Sequence, residues 1–156
     1  MEKLRFDNYS IVLQEIPNEI SLCFTITGCK LACEGCHSQH LWDSNHGQHL
    51  TIEIYEELLK KYRYTITCIL FMGGEWHEQQ LLNLIRIAHQ NSLKVGLYTG
   101  LNEKQINKYH PVIVQNLDYI KTGKWISKLG GLNKKTTNQK LVDLNTGEVM
   151  NKYFIQ

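Results

Sequence analysis

The stretch SLCFTITGCKLACEGCHSQH, residues 21–40, runs from an apolar, β-rich segment directly into three closely spaced cysteines. Its first third, 21–27, reads as a buried strand, because β-branched and aromatic residues follow one another without a polar face. Its remainder reads as a loop carrying Cys29, Cys33 and Cys36, with His37 and His40 behind them. A strand that delivers a ligand-rich loop at its carboxyl end is typical of α/β proteins. The number of thiols matters as much as their place. A disulfide uses two, a closed zinc site about four ligands, and this loop offers three.

The segments that follow repeat the same grammar. From Thr51, the residues Ile54, Tyr55, Leu58, Leu59 and Tyr62 recur at helical spacing. TITCILF (65–71) is a short strand that stops at Gly73-Gly74, and Leu81, Leu84, Ile85 and Ala88 mark a second amphipathic helix. LKVGLYT (93–99) reads as a third strand, 102–109 as a short helix and DYIKTG (118–123) as a fourth strand. Strands alternating with helices predict parallel βαβ units. At the ends, NYSIVLQEI (8–16) predicts an extra strand, and 139–144 with the turn Asn145-Thr146-Gly147 and EVMNKYF predicts a hairpin. Ligands in such sheets gather outside the carboxyl ends of the strands. The cysteine loop, Gly73-Gly74-Glu75 and Tyr98-Thr99-Gly100 are therefore expected on one rim.

The composition sets outer bounds. With 156 residues the chain is sized for a single domain, 1–156. It is 42% hydrophobic and 21% charged, ordinary values for a globular protein. A formal charge of +2 argues for neither nucleic acid nor a membrane surface as partner. MEKLRFDNYS has no apolar leader and no run approaches a membrane span, so the expected compartment is the cytoplasm. In a reducing compartment, clustered cysteines point to metal or redox chemistry before disulfides.

Four readings of the loop compete. The cysteines could be inert packing residues, which suits Cys23 and Cys68 inside their strands better than C-x3-C-x2-C in a loop. They could bind zinc, with His37 or His40 completing a Cys3His set. Residues 33–37 match the C-x-x-C-H of a haem attachment site, which leaves Cys29 unexplained. Lastly, they could hold a four-iron cluster, which normally takes four thiolates, leaving one iron open to a substrate or cofactor. This last reading accounts for the number three.

TGCKLACEGCHSQHLWD (27–43) and FMGGE (71–75) resemble the radical S-adenosylmethionine superfamily, and within it the activating proteins of anaerobic ribonucleoside-triphosphate reductases. YTG (98–100), DYIKTGKW (118–125) and TTNQKL (136–141) look like later segments of that branch. The resemblance implies a compact partial (β/α) barrel with extra terminal strands. It implies one [4Fe-4S] cluster per chain on Cys29, Cys33 and Cys36, with S-adenosylmethionine on the open iron. Gly35, Cys36, His37, Gly73, Gly74 and Glu75 would contact that cofactor, with His37 against adenine, the glycines admitting the methionyl group and Glu75 meeting its ammonium. Two departures stand out: His37 follows the third cysteine where the branch has an aromatic, and Met72-Gly73-Gly74-Glu75-Trp76 replaces Ser-Gly-Gly-Asp-Pro. The implied activity is an activase that installs a glycyl radical on the large subunit of anaerobic ribonucleotide reductase, with reduced flavodoxin or a similar donor supplying electrons. The alternatives are another glycyl-radical enzyme or a small metabolite as substrate, or a non-catalytic zinc or iron–sulfur module.

No Ser–His–Asp pattern or carboxylate pair supports hydrolysis. His46, His49, His77, His89 and His110 read as surface residues. Lys121, Lys124, Lys128, Lys134, Lys135 and Lys140 form either a solvated face or a docking surface, for a larger partner or for an acidic electron carrier such as flavodoxin. Trp42, Trp76 and Trp125 are either core residues or interface anchors.

Overall fold

The computed structural model describes residues 3–28, 43 and 45–155; Cys29, Cys33, Gly35, Cys36, His37, His40 and Trp42 lie outside the described residues. Along the chain the strands are β1 (Arg5–Leu13), β2 (Ile20–Ile26), β3 (Gln48–His49), β4 (Cys68–Met72), β5 (Lys94–Tyr98), β6 (Tyr119–Thr122) and β7 (Lys140–Asp143). The helices are α1 (Ile52–Tyr62), α2 (Glu78–Gln90), α3 (Glu103–Tyr109) and α4 (Pro111–Asn116). All these strands join one mixed sheet in the order β3-β1-β2-β4-β5-β6-β7. β2, β4, β5 and β6 pair in parallel, while β1, β3 and β7 are antiparallel additions at the edges. The chain is thus mixed α/β. No helix among the described residues is long and apolar enough to cross a membrane.

Local chemistry sets the helix limits. Thr51 caps α1 by accepting from the Ile54 N–H at 3.1 Å, and Lys60 and Lys61 sit in its last turn, where cations suit the helix dipole. Asn102 and Gln105 form a capping box at the start of α3. Pro111 opens α4, where a missing N–H costs nothing.

The parallel strands step across the sheet in one direction, so crossovers of a single hand place their helices on one face. Tyr55, Leu58, Leu81, Ile85, Ile106 and Ile113 from the helices share one core with Phe24, Phe71, Leu97 and Ile120 from the strands. Phe24 and Phe71 stack at 5.9 Å, and Tyr55 lies 6.2 Å from Phe71 while its hydroxyl donates to Leu84 O at 2.9 Å. The opposite face holds Cys23, Cys68, Leu70, Tyr119 and Leu141, covered by Ile16 and Met150 rather than by a helix. Burial pushes both Cys23 and Cys68 up to about 12, so they remain thiols in the core, as their in-strand positions predict.

Two expectations shift, and two elements are added. The first strand spans Arg5–Leu13 rather than 8–16, because Gln14 (φ 72°) and Asn18 (φ 69°) turn the chain and drop Ile16 onto the helix-free face. The expected hairpin keeps its turn, with Gly147 at φ 79°, but its return arm shrinks to one bridge between Val142 and Val149. Beyond it, Asn151 bonds Leu141 N–H at 2.9 Å and Gln139 O at 2.8 Å with its side chain, taking the place of a strand partner. β3 and α4 went unpredicted: two residues carry no periodicity, and six carry too little to mark a helix.

Gly96 in β5 offers a test of the helix-free face. A Cβ there would sit 2.5 Å from Ile16 Cδ1, and the next nearest atom is Tyr119 Cβ at 3.4 Å. Gly96→Ala is expected to lower stability by about 1–3 kcal/mol. Ile16→Val, which removes that methyl, should destabilise the wild type by roughly 0.5–1.5 kcal/mol yet stabilise Gly96→Ala. Urea unfolding of the four proteins measures the cycle, and additive losses would contradict the packing described.

Candidate functional site

The sheet register aligns the carboxyl ends of four strands. Thr25 pairs with Met72, Met72 with Tyr98, and Tyr98 with Lys121. The residues just beyond these positions, Thr27-Gly28, Gly73-Gly74-Glu75, Thr99-Gly100 and Gly123, therefore share one rim. Backbone bonds tie them: Gly73 N–H donates to Tyr98 O and Thr99 N–H to Lys121 O, each at 2.9 Å, and Gly123 N–H to Leu101 O at 2.7 Å. Cys29 follows Gly28 directly in sequence.

Gly73 (φ 88°) and Gly74 (φ 113°) take the left-handed region, so a side chain at either is strained. The Gly74 turn starts a short 3-10 segment, Glu75–His77, that carries Glu75 and His77 inward. His77 is consequently buried, against the surface expectation. His46 lies 2.5 Å from Asp7, His110 Nδ1 lies 3.4 Å from Glu78 Oε1, and both rings are part-buried; only His89 is classed as exposed, with Asp118 at 3.0 Å. Trp76 is part-buried and its indole donates to Thr27 O at 3.1 Å, tying the turn to the end of β2.

Neither glycine side-chain direction points at open space. A Cβ on Gly73 would lie 2.6 Å from Trp76 Cη2, and one on Gly74 would touch Ile26 at 3.4 Å and Leu81 at 3.6 Å. The turn conformation and the core demand glycine here before any ligand does. Substitution at Gly74 consequently tests the fold first.

Glu75 is only 3% exposed. Its Oε1 accepts from Thr99 Oγ1 at 2.6 Å, and that hydroxyl also accepts from Leu101 N–H at 3.1 Å. Its Oε2 has no hydrogen-bond partner among the described residues. Burial raises the Glu75 pKa, outweighing the opposing pull of Thr99, its own backbone N–H, His110 and Lys121. A buried carboxylate with one oxygen unmatched is expensive as an anion unless a cation meets it. Thr99 stands on the rim where sequence reading expected it, while His110 and Lys121 are neighbours that reading missed. Periodicity gives no sign of them: strand register places Lys121, and the junction between α3 and α4 places His110. A groove of about 640 Å³ between α1 and α2, lined by Glu53, Glu57, Lys60, Arg63 and Asn91, includes none of these groups.

Among the described residues no group of three His, Cys, Asp or Glu side chains is arranged to hold a metal. The sequence-predicted ligands Cys29, Cys33 and Cys36, with Gly35 and His37, lie outside the described residues. Residues 20–144 match the family model described as a 4Fe-4S single cluster domain, a span that begins with β2 and includes all three cysteines. No curated protein and no solved structure matches the chain.

Above the ordinary glutamate value of 4.5, the native state holds the Glu75 proton more tightly than the unfolded chain does. Stability contributed by this group therefore falls as pH rises from there towards the raised native value. Glu75→Gln keeps an acceptor for Thr99 and removes the charge. In the cofactor-free chain, thermal unfolding should show the variant matching the wild type in acid and overtaking it as pH approaches neutrality. A wild type that is the more stable at neutral pH would mean that Glu75 has an internal cationic partner.

Proposed function

The chain belongs to the 4Fe-4S single cluster domain family, and from that premise we propose that it is a radical S-adenosylmethionine activase that installs a glycyl radical on anaerobic ribonucleotide reductase. One observation carries the reading: a buried glutamate with one oxygen unmatched among the described residues lies on the rim shared with the end of β2, and the three-cysteine segment follows β2 directly in sequence. A primary ammonium has three donors and a positive charge, which is what Glu75 Oε2 lacks. The residues present thus fit the methionyl end of the cofactor.

Cys29, Cys33 and Cys36 would hold the cluster, leaving one iron for the cofactor's amino and carboxylate groups. Held there, the reduced cluster would supply one-electron chemistry for reductive cleavage of the cofactor's sulfonium. The remaining work is positional. Thr99 would fix the Glu75 carboxylate and keep Oε2 available, and the Gly73-Gly74 turn would hold the backbone at the right height. Gly35 and His37 would border the adenine. The one-directional strand order and the helices on a single face support a compact partial barrel. An open rim suits a protein substrate better than a small molecule that needs enclosure.

Anaerobic reconstitution is expected to give about four iron per chain, as the family's cluster type implies. Cys29→Ala, Cys33→Ala and Cys36→Ala should each lose the cluster, while Cys23→Ala and Cys68→Ala retain it. Glu75→Gln should keep the iron and weaken S-adenosylmethionine binding by about 10- to 100-fold, the range for a hydrogen bond to a charged group. With cofactor, reductant and an anaerobic ribonucleotide reductase, a glycyl-radical doublet should appear by electron paramagnetic resonance and vanish when the reductase's radical glycine is alanine. Stoichiometric zinc without iron uptake would sink the cluster. Cofactor cleavage without radical transfer would redirect the activase to another glycyl-radical enzyme or a metabolite.

A further inference from the structure

The net charge of +2 conceals a strong partition. Residues 119–142 contain six lysines (121, 124, 128, 134, 135 and 140) and no Asp, Glu or Arg. Of the chain's 17 basic residues the other 11 are set against all 15 carboxylates, so the rest of the molecule carries a charge of −4. The span from β6 into β7 is thus a +6 island on an otherwise acidic protein, and four of its six lysines (124, 128, 134 and 135) lie on the segment between the two strands.

This island is built rather than loose. Thr136 Oγ1 donates to Leu129 O at 2.6 Å, Thr137 Oγ1 to Gly130 O at 2.8 Å and Asn138 Nδ2 to Lys124 O at 3.1 Å. Gln139 Nε2 donates to Gly123 O at 3.3 Å, fixing the segment's far end to the rim. Trp125 is part-buried against Gly131, which makes it a strut of the loop instead of an exposed anchor. Lys140 pairs with Glu103 at 3.5 Å, but Lys124, Lys128, Lys134 and Lys135 are exposed and form no ion pair with any described residue. A braced frame presents to solvent four ammonium groups that no described carboxylate meets.

We propose that the 124–135 loop is the docking surface for an acidic, one-electron-carrying protein that reduces the cluster. This inference rests on the iron–sulfur part of the reading above and not on the identity of the radical's target. Beyond the three clustered cysteines, the cysteines are Cys23 and Cys68, both buried thiols, so no second cluster relays electrons within the chain. The electron must arrive from outside, close to the rim. Three strand spacings separate β6 from β2, about 14 Å at roughly 4.8 Å each. A standard contact covers about 800 Å² per partner, roughly 28 Å across, so a partner seated on the loop also overlies the end of β2. Lysine without arginine and without exposed aromatics favours a brief, salt-sensitive protein encounter over nucleic acid, which recruits bidentate arginine and stacking rings. In the transfer the donor loses one electron, the oxidised cluster gains it and no atom changes hands.

The test uses the reconstituted full chain with reduced flavodoxin as probe. Cluster reduction is followed by stopped-flow absorbance at several ionic strengths. Replacing Lys124, Lys128, Lys134 and Lys135 together by Gln should lower the second-order rate at low salt tenfold or more and flatten its salt dependence. Iron content, and reduction by light and a neutral deazaflavin, should not change. A control replacing the exposed Lys60, Lys61, Lys104 and Lys108 by Gln carries the same net charge and should retain the rate. Equal rates in the two variants, or a loop variant that loses binding to a single-stranded oligonucleotide or anionic vesicles but not its reduction rate, overturn the proposal. Reduction can be measured whether or not S-adenosylmethionine is cleaved. If docking holds while cleavage fails, the activase reading falls and the electron-entry surface stands.

Discussion

Backbone hydrogen bonding between β2, β4, β5 and β6 holds Thr25, Met72, Tyr98 and Lys121 side by side, and the candidate site follows from that pairing. A strand slipped by one residue would exchange its two faces. Phe24, Phe71 and Leu97 would then leave the helix-facing core, and Thr99 would no longer meet Glu75. Register is consequently held from both sides of the sheet. The aromatic packing of Phe24, Phe71 and Tyr55 secures one face, and Cys23, Leu70, Tyr119 and Ile16 the other.

Much of this layout is legible in the sequence because it depends on local period. The four central strands and the two long helices occupy the expected stretches, since each buries an apolar face whose spacing shows its geometry. What stayed hidden depends on partners distant along the chain. β3 exists because Arg5 and Phe6 offer it a ladder, not because Gln48 and His49 favour one. The hairpin's return arm gives way to the Asn151 side chain, a choice that propensity cannot rank. His77 looked like a surface residue because helical spacing does not register the left-handed turn at Gly74 that swings it inward.

The site divides in the same way. Gly73, Gly74 and Glu75 were legible as a strand-end turn, but the reason for the glycines was not. Their φ values, with Trp76 beside one and Ile26 and Leu81 beside the other, require them for the turn itself. Glu75 is different. The local fold does not need a carboxylate there, and burial makes one costly.

The two ends of the sheet make the same point by contrast. At the amino ends of the strands, Glu19 is also buried, yet both its oxygens are satisfied: Oε1 by Thr67 at 2.7 Å, Oε2 by Tyr119 at 2.5 Å, with Lys94 Nζ at 3.5 Å. Nearby, Asp118 takes hydrogen bonds from Val95 N–H, His89 and Asn145, which together outweigh burial and lower its pKa. Those carboxylates close their networks within the protein and brace the sheet. Glu75, at the opposite end, accepts from Thr99, and its Oε2 has no hydrogen-bond partner among the described residues. One sheet with the same means of satisfying acids completes the pairing at one end and withholds it at the other. The incomplete end is the one from which the cysteine-bearing segment continues, and on the proposed reading the group that Glu75 lacks there is the cation of a ligand.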